Sequence, residues 1–375
     1  MRFWLGTHQP HWLADPRCAG VDLFVSRSTL KARKTMPAAV TDWALDSGGF
    51  SEIQLHGRWT ITPEEYIAEV RRYLAIGRLQ WAAPMDWMCE PQVIAGLVER
   101  RKSKACPACL RAHRKTADGK PVPLRVASLD TEERPLFVCE CGYQATGKAP
   151  RIHVARWRAW AAEAGTVMAA SVAEADRLGL GAVVVFHGTG LSVEEHQRRT
   201  VENFLELRRL APDLPFIPVL QGWSLYDYWR CEEMYRAAGV DLKAETLVGV
   251  GTVCRRQGTN EATLIMQSLA AGGLRLHGFG FKILGLRASA DVLASADSLA
   301  WSDTARRAPP LPGHDKPGPG RRTGHINCAN CIEYALMWRA NLMADLGKHH
   351  PKPKAKPTRK PPLRTTQLNL FGAFA

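Results

Sequence analysis

Eight short apolar segments, each ending in polar residues or glycine, are spread over the first four fifths of the chain. Most are continuous apolar runs rather than alternations, which is typical of strands buried on both faces of a parallel sheet. The segments are residues 2–7, 22–26, 43–46, 79–86, 215–221, 246–252, 275–282 and 292–297.

Helical patterns lie between several of these segments. Thr62 is followed by a proline and two glutamates, a typical helix start, and apolar residues then follow at helical spacing. A second helix is predicted to begin after Ser192 and to end near Pro212, and a third covers residues 258–271. Alternating strands and helices, with eight strands, predict an α/β fold of the (β/α)₈ TIM-barrel type. Helices are hard to place after the first two strands.

Two regions depart from this alternation and divide the chain. One contains two cysteine pairs and many basic residues; the other begins with a proline- and glycine-rich stretch. A basic, proline-rich tail with few apolar residues follows and is expected to be disordered. The predicted divisions are 1–97 (first part of the barrel), 98–187 (insertion), 188–307 (second part), 308–345 (cysteine-containing subdomain) and 346–375 (tail).

The charge balance points to a polyanionic partner. Lysine and arginine number 50 against 36 acidic residues, a net charge of +14, which favours nucleic acid first and a membrane surface second. No apolar run approaches the roughly 18 residues that span a bilayer. The N-terminal residues lack the long apolar segment of a secretory signal, so a cytoplasmic location is expected.

Cysteines in that compartment argue for metal binding rather than disulfides. In the insertion, the pairs Cys106/Cys109 and Cys139/Cys141 predict a zinc ribbon. The surrounding basic residues make it either an accessory nucleic-acid clamp or a plain stabilising insertion.

A second zinc site is predicted near the C-terminus. His325, Cys328 and Cys331 have the spacing H-x-x-C-x-x-C, which supplies three of the four ligands of a structural zinc ion. His314 and Cys254 are both candidates for the fourth. The alternative is two buried cysteines at a helix start.

Polar residues at the predicted strand ends indicate an active site. Asp46, Asp86, Gln221 and Asp297 each end a segment, and the carboxyl ends of barrel strands form the mouth where barrel enzymes act. One such aspartate is more often a helix cap, but three together exceed what a scaffold requires. A non-catalytic, zinc-containing nucleic-acid-binding protein, the alternative from another class, has no use for them.

The residues around Asp46 carry a family resemblance. The sequence DSGGF (46–50) resembles the motif of tRNA-guanine transglycosylases, and the wider frame is more similar to the bacterial and phage 7-deazaguanine DNA transglycosylases. The matching pieces cover most of residues 1–97 and 188–307. They are LGTH (5–8), LFVS (23–26), WALDSGGF (43–50), DWMCEP (86–91), HQRRTVEN (196–203), PVLQGW (218–223), VCRRQ (253–257), LHGFGFK (276–282) and ADSLAWS (296–302).

The resemblance implies a barrel enzyme that exchanges guanine in DNA for a 7-deazaguanine base, with 7-cyano-7-deazaguanine expected. The exchange would pass through a covalent aspartyl-glycosyl intermediate, as in retaining glycoside hydrolysis. The same exchange on tRNA is the nearest alternative. LGTH, ADSLAW and the C-terminal residues favour DNA.

The resemblance also assigns roles. Asp297 matches the nucleophile, Asp46 the acid/base, and Asp86 the carboxylate that reads the guanine edge, although an exchange of roles between Asp46 and Asp86 stays open. Gln221 would contact the O6 side of the base. The other predicted base contacts are Ser47, Gly48, Gly49, Phe50 and Gly222, the backbone N–H of Gly249 or Gly251, and stacking by Phe50, Trp87 or Met88. Candidate phosphate contacts are Arg255, Arg256, Lys282, Arg306 and Arg307.

The last residues carry a further motif. Gln367, Leu368, Leu370 and Phe371 resemble the peptide with which bacterial proteins dock on the DNA sliding clamp. A polar anchor with spaced apolar residues on a basic tether suits such docking. The alternative is an incidental apolar chain end.

Overall fold

The computed structural model describes most of the chain outside the insertion and the tail. The described residues are 1–100, 106–117, 119, 122, 124–129, 135–146, 182–254, 256, 258–317 and 324–348. Their strands are β1 (Arg2–Thr7), β2 (Leu23–Ser26), β3 (Trp43–Asp46), β4 (Leu79–Ala82), β5 (Leu97–Arg100), β6 (Arg125–Leu129), β7 (Pro135–Val138), β8 (Gln144–Thr146), β9 (Ala182–Phe186), β10 (Val219–Leu220), β11 (Val248–Val250), β12 (Leu276–Gly278) and β13 (Leu293–Ser298).

A curled, parallel, eight-stranded sheet forms the centre of the molecule. Its strands follow the order β10-β11-β12-β13-β1-β2-β3-β4. A parallel bridge between Ala82 and Phe216 connects one edge of the sheet to the residues just before the other edge. The arrangement is compatible with the predicted TIM-like fold, and each of the eight predicted segments overlaps one of these strands.

The sheet buries side chains on both faces, as the continuous apolar segments predicted. In β1, Phe3 and Leu5 belong to the large outer core shared with the helices, whereas Trp4 belongs to an inner cluster with Trp81 and Ile217. This alternation follows from the two-residue period of a strand. The inner cluster fills the space below the mouth.

Helices pack around the sheet. They are α1 (Arg27–Leu30), α2 (Gly49–His56), α3 (Pro63–Tyr73), α4 (Pro91–Ala95), α5 (Pro107–Arg111), α6 (Val193–Leu210), α7 (Leu225–Ala237), α8 (Asn260–Ala271), α9 (Ile283–Ser289), α10 (Ala300–Arg307) and α11 (Ile332–Lys348). Thr62 and Ser192 cap α3 and α6 as predicted. Short 3₁₀ turns follow β1 and the single-turn α1 follows β2, which explains why the sequence shows no helical period there. Within the described residues, every helix is too short or too polar to cross a bilayer.

The insertion leaves and rejoins the sheet region through one pair of strands. β5 and β9 pair antiparallel, so the two ends of the segment lie side by side. Between them, β6, β7 and β8 form a separate antiparallel sheet, with its own small core of Leu124, Phe137 and cysteines. The predicted helix-like stretch 154–175 and the tail 349–375 lie outside the described residues.

The described residues of the cysteine-containing subdomain share the main core. Cys328, Ile332 and Trp338 belong to the same buried cluster as Phe3 of β1. The ring centroids of Phe3 and Trp338 lie 6.3 Å apart, and Ser302 Oγ donates to the Ala329 carbonyl at 2.8 Å. The helix predicted around Tyr334 is α11, and it packs against the outside of the barrel-like sheet.

Candidate active site

One cavity at the carboxyl end of the sheet brings the predicted polar residues together. It has a volume of about 200 Å³. Its walls come from the ends of several strands and from the loops that follow them. They include Phe24, Asp46, Ser47, Gly49, Phe50, Asp86, Met88, Glu90, Gln221, Gly251, Thr252, Cys254, Phe279, Gly280 and Asp297.

Asp297 lies near the end of β13 and faces the inside of the sheet. It pairs in register with Trp4 of the inner cluster, and its side chain is only 8% exposed. The backbone N–H of Gly280 donates to Asp297 Oδ1 at 2.8 Å, and His277 Nε2 lies 3.3 Å from the same oxygen. A buried carboxylate held from one side in this way can present its other oxygen to the cavity.

Asp86 and Gln221 form one buried polar unit. Gln221 Nε2 donates to Asp86 Oδ2 at 2.5 Å, and Thr252 Oγ1 donates to Gln221 Oε1 at 2.6 Å. Ser47 Oγ lies 3.4 Å from the second carboxylate oxygen. Burial raises the pKa of Asp86 to about 7, against the opposing hydrogen bond from Gln221. The unit fixes the direction in which Asp86 faces the cavity.

Helix α6 holds the loop that carries Asp86. Asn203 donates to the carbonyl of Met85, Thr200 accepts from the N–H of Trp87, and His196 Nδ1 donates to the carbonyl of Met88. These residues recur at helical spacing and therefore share one face of α6. The quoted sequence HQRRTVEN is thus a positioning element for the segment DWMCEP, a role that its composition did not reveal.

Asp46 ends β3 and starts a tight turn. The N–H of Gly48 donates to Asp46 Oδ1 at 3.1 Å, and Gly48 has a φ of +73° that favours glycine. A Cβ on Gly49 would lie 2.7 Å from Trp59. Desolvation raises the pKa of Asp46, and the Asp297 charge adds to that shift. Both causes favour the protonated, neutral form of this carboxyl group.

The glycines on the opposite wall act through their lack of a side chain. The N–H of Gly249 donates to Pro218 and that of Gly251 to Leu220, so the predicted use of either N–H for the base is corrected: both are engaged in the sheet. A Cβ on Gly251 would lie 2.2 Å from Gln221 Nε2. The Gln221–Asp86 unit requires this close approach.

Other predicted base contacts divide into those that line the cavity and those that do not. Ser47, Phe50 and Met88 line it, whereas the lining does not include Trp87 or Gly222. Trp87 packs edge-on to the His196 ring. A Cβ on Gly222 would lie 2.8 Å from Asp227 Cβ, so this glycine accommodates the start of α7.

The basic candidates differ in exposure. Lys282, Arg306 and Arg307 are exposed, and Arg307 forms an ion pair with Asp303 at 2.9 Å. Arg256 has a side chain 9% exposed and packs over Trp223 at 4.3 Å from the ring centroid, which removes it from ready contact with a phosphate. Arg255 lies outside the described residues.

The C-terminal histidines and cysteines converge on one point. The ligand atoms of His314, His325, Cys328 and Cys331 all lie within 4.8 Å of one another. Cys328 Sγ lies 3.6 Å from the Nδ1 atoms of both histidines, and Cys331 Sγ lies 3.6 Å from His314 Nδ1. Sulfur and nitrogen ligands of a tetrahedral zinc ion lie about 3.6 Å apart. His314, rather than Cys254, is therefore the fourth member, and Cys254 lines the central cavity instead.

The four insertion cysteines form a second group. Cys106 and Cys141 Sγ lie 3.6 Å apart, and Cys109 and Cys139 Sγ lie 3.7 Å apart. The thiolates of a zinc site are separated by about 3.8 Å. Both groups could hold a metal ion and are consistent with zinc.

A family model decides the relationship. The model described as DpdA, deoxypurine in DNA protein A, matches residues 1–117 and 136–359. The chain belongs to the DpdA family. DpdA is the 7-deazaguanine DNA transglycosylase, a relative of the tRNA-guanine transglycosylases. None of the curated proteins is significantly similar to the chain.

Membership of the DpdA family confirms the predicted enzyme class. The family is a guanine/7-deazaguanine transglycosylase, and hence a pentosyltransferase. It acts on DNA, which favours DNA over the tRNA alternative. The match also runs through much of the insertion and the subdomain after residue 307, so these regions are shared with the family and not confined to this chain.

Three residues in or beside the cavity make contacts that the sequence did not predict. Thr252 bridges Gln221 and the N–H of Cys89, with a φ of +57° that is costly for a β-branched residue. His277 contacts Asp297, and Phe279 lines the wall. His277 and Phe279 lie in the segment LHGFGFK (276–282) quoted for the family resemblance, which was the available signal for them. Thr252 ends the predicted apolar segment 246–252, directly before the quoted segment VCRRQ.

Proposed function

We propose that the chain replaces guanine in DNA with 7-cyano-7-deazaguanine by two displacements at C1′ of the sugar. Asp297 is the nucleophile, Asp46 handles the proton, and Asp86 reads the base. The observation that carries the proposal is the meeting of these three carboxylates in one cavity, in a chain of the DpdA family.

In the first displacement, Asp297 attacks C1′ and the bond to N9 of guanine breaks. The bonding electrons leave with the base, and Asp46 gives its proton to the departing guanine. Burial raises the pKa of Asp46, which favours the protonated form that this step needs. The product is a glycosyl ester on Asp297.

The second displacement reverses the first with another base. The incoming 7-deazaguanine loses its N9 proton to Asp46, and N9 attacks C1′ as the ester bond to Asp297 breaks. Asp46 is protonated again and Asp297 is a free carboxylate. Water in the cavity would hydrolyse the ester to an abasic site, so the cavity must exclude it during exchange.

Asp86 suits the recognition of a guanine edge. Guanine and its 7-deaza analogues present an N1–H beside an exocyclic amine, and one carboxylate accepts both donors. The bond from Gln221 Nε2 occupies Asp86 Oδ2 at 2.5 Å and fixes the side chain. Phe50 and Met88 line the same cavity and supply apolar surface for the flat base.

The DNA must present the target base outside its duplex. A cavity of about 200 Å³ at the end of a sheet accepts a base and not a base pair, so the nucleotide is extruded or lies in unwound DNA. Exposed Lys282 and Arg306 are the proposed phosphate contacts.

Two structural zinc ions are part of this proposal. One would be held by His314, His325, Cys328 and Cys331, and the other by Cys106, Cys109, Cys139 and Cys141. Closed sites with four protein ligands stabilise the surrounding loops and leave no position for a substrate. No step of the exchange uses either ion.

The predicted divisions of the chain stay part of the proposal. So does a cytoplasmic location, because the DNA substrate is found there. Deletion of the insertion tests its role as an accessory nucleic-acid clamp. Unchanged DNA affinity and salt dependence would leave only a stabilising role.

The proposed clamp-docking residues lie outside the described part of the chain. They are Gln367, Leu368, Leu370 and Phe371. If a peptide covering 365–375 does not bind the sliding clamp, their docking role is rejected.

The decisive experiment compares Asp297→Ala with Asp303→Ala. The matched control removes an exposed aspartate of α10 that pairs with Arg307. We expect Asp297→Ala to abolish incorporation of labelled 7-cyano-7-deazaguanine into DNA with DNA binding retained, and Asp303→Ala to retain exchange. Nucleoside mass spectrometry on DNA and tRNA is the readout. Exchange by Asp297→Ala, or modification of tRNA alone, would overturn the proposal.

A further inference from the structure

His277 is a fully buried histidine directly behind Asp297. It lies on β12 and pairs in register with Ser295 of β13, two residues before Asp297, so both strands direct these side chains to the same face. Its side chain is 0% exposed. Aromatic rings surround it, with the centroids of Trp81 and Phe279 at 4.6 and 4.7 Å. Such a setting makes an unused ring nitrogen costly.

The two ring nitrogens of His277 have different surroundings. Nδ1 lies 2.8 Å from Ser295 Oγ. Nε2 is buried without a hydrogen bond of good geometry in the described part of the chain, and Asp297 Oδ1 lies 3.3 Å away. If the serine hydroxyl donates to Nδ1, the neutral ring carries its proton on Nε2 and directs it at the carboxylate. The other tautomer would set a lone pair against a negative oxygen.

Two donors therefore meet the same oxygen of Asp297. The Gly280 N–H donates to Oδ1 at 2.8 Å, and His277 Nε2 approaches it at 3.3 Å. The φ of Gly280 is +63°, which gives this N–H its direction at a position that favours glycine. Because both of these contacts are to Oδ1, we assign Oδ2 as the oxygen presented for reaction.

We propose that His277, oriented by Ser295, is a positioning residue for the nucleophile. This inference rests on the proposed role of Asp297. Its N–H holds Oδ1, turns Oδ2 towards C1′, and stabilises the negative charge that returns to the carboxylate when the ester breaks. The proton stays on the ring throughout, since the donor orients and stabilises without being transferred. Because His277 acts in both displacements, its loss should slow the chemical steps and leave the affinity for DNA unchanged.

The test compares variants that differ in one hydrogen-bond donor. His277→Gln places an amide N–H near the position of Nε2, whereas His277→Leu has similar bulk and no donor. We expect His277→Leu to lower the single-turnover rate of covalent enzyme–DNA adduct formation about 100-fold, with the dissociation constant for DNA unchanged. His277→Gln should recover about tenfold of that loss. Ser295→Ala, which frees the tautomer without touching Asp297, should lower the rate about threefold to tenfold.

The outcomes separate this inference from the function on which it rests. Thermal unfolding of each variant identifies any that fail to fold. If His277→Leu does not fold, Ser295→Ala and His277→Gln are compared with the wild type instead. Wild-type adduct formation by His277→Leu would overturn the positioning role, as would equal losses in the Leu and Gln variants. Exchange by Asp297→Ala would instead overturn the proposed nucleophile.

Discussion

At the residue scale, burial sets the chemistry of the carboxylates. Asp86 is 9% exposed and its pKa is raised to about 7 by desolvation. The pKa of Asp46 is raised for the same principal reason. Carboxyl groups with raised pKa values are typical of sites that exchange protons. The protein accepts a stability cost at both positions, because a buried charge is unfavourable.

That cost predicts a pH-dependent stability difference for Asp86→Asn. Below about pH 3 the carboxyl is mostly protonated in the folded and unfolded chains alike. As pH rises towards 7, the unfolded chain ionises first, so the free energy of unfolding falls. With a folded pKa of about 7, the loss reaches up to about 4 kcal/mol by pH 8. Asp86→Asn should therefore be more stable than wild type at pH 8, and inactive.

Chemical denaturation at pH 5 and pH 8 measures this difference. Asp303→Asn, on the exposed surface of α10, is the matched control and should change stability by less than about 0.5 kcal/mol at both values. If Asp86→Asn raised the free energy of unfolding equally at pH 5 and pH 8, ionisation of the Asp86 carboxyl would not be the cause of the stability loss.

At the element scale, short strands and one helix place the reactive groups. β11 brings Gly251 against the Gln221 amide, while α6 holds the loop of Asp86 through His196, Thr200 and Asn203. Burial lowers the pKa of His196 to about 4, so the ring is neutral at physiological pH and keeps its bonds to Met88 and Thr189. These elements fix the base-reading unit before any base arrives.

Gly251→Ala should disrupt that unit without unfolding the protein. The added Cβ would lie 2.2 Å from Gln221 Nε2, so the amide must move and lose its bond to Asp86. We expect KM for the incoming base to rise at least tenfold, a loss of about 1.4 kcal/mol in binding. Gly258→Ala is the control, since a Cβ there meets Leu284 only at 3.6 Å. Steady-state exchange kinetics measure this KM. An unchanged KM for Gly251→Ala would contradict the predicted role of the Gln221–Asp86 unit.

At the scale of the whole molecule, the two groups of candidate metal ligands occupy different environments. The group of His314, His325, Cys328 and Cys331 adjoins the main core through Cys328 and Cys331. A Cβ on Gly324 would lie 1.9 Å from the Asp315 carbonyl, so the two ligand-bearing loops touch. The cysteine group of the insertion belongs instead to a small separate core, which is the kind that needs a metal or a disulfide to fold.

Metal analysis of two variants should separate these sites. The wild type is expected to bind two zinc ions per chain, one for each group, and Cys328→Ser and Cys106→Ser should each lose about one. Because Cys328 lies in the main core, its variant should lower the unfolding temperature of the barrel region. Cys106→Ser should leave that transition nearly unchanged. Elemental analysis with calorimetry is the measurement; zinc-free wild-type protein would contradict the assignment.

The sequence by itself determined which strands and helices form and which carboxylates are candidates for the active site. Continuous apolar segments predicted eight buried strands because a strand covered on both faces needs no polar alternation, and residues 2–7 and 43–46 coincide with β1 and β3. The caps at Thr62 and Ser192 were readable because capping is a local interaction. Strand ends and motif resemblance also indicated Asp46, Asp86 and Asp297, which all line the cavity.

Only the tertiary structure decided which side chains meet. It selected His314 over Cys254, engaged the N–H groups of Gly249 and Gly251 in the sheet, and set His277 beside Asp297. These contacts join residues that are distant in sequence or depend on strand register, and neither quantity is encoded in local periodicity. Hydrophobic patterning specifies which elements form, whereas packing of the whole sheet specifies the distances on which the chemistry depends.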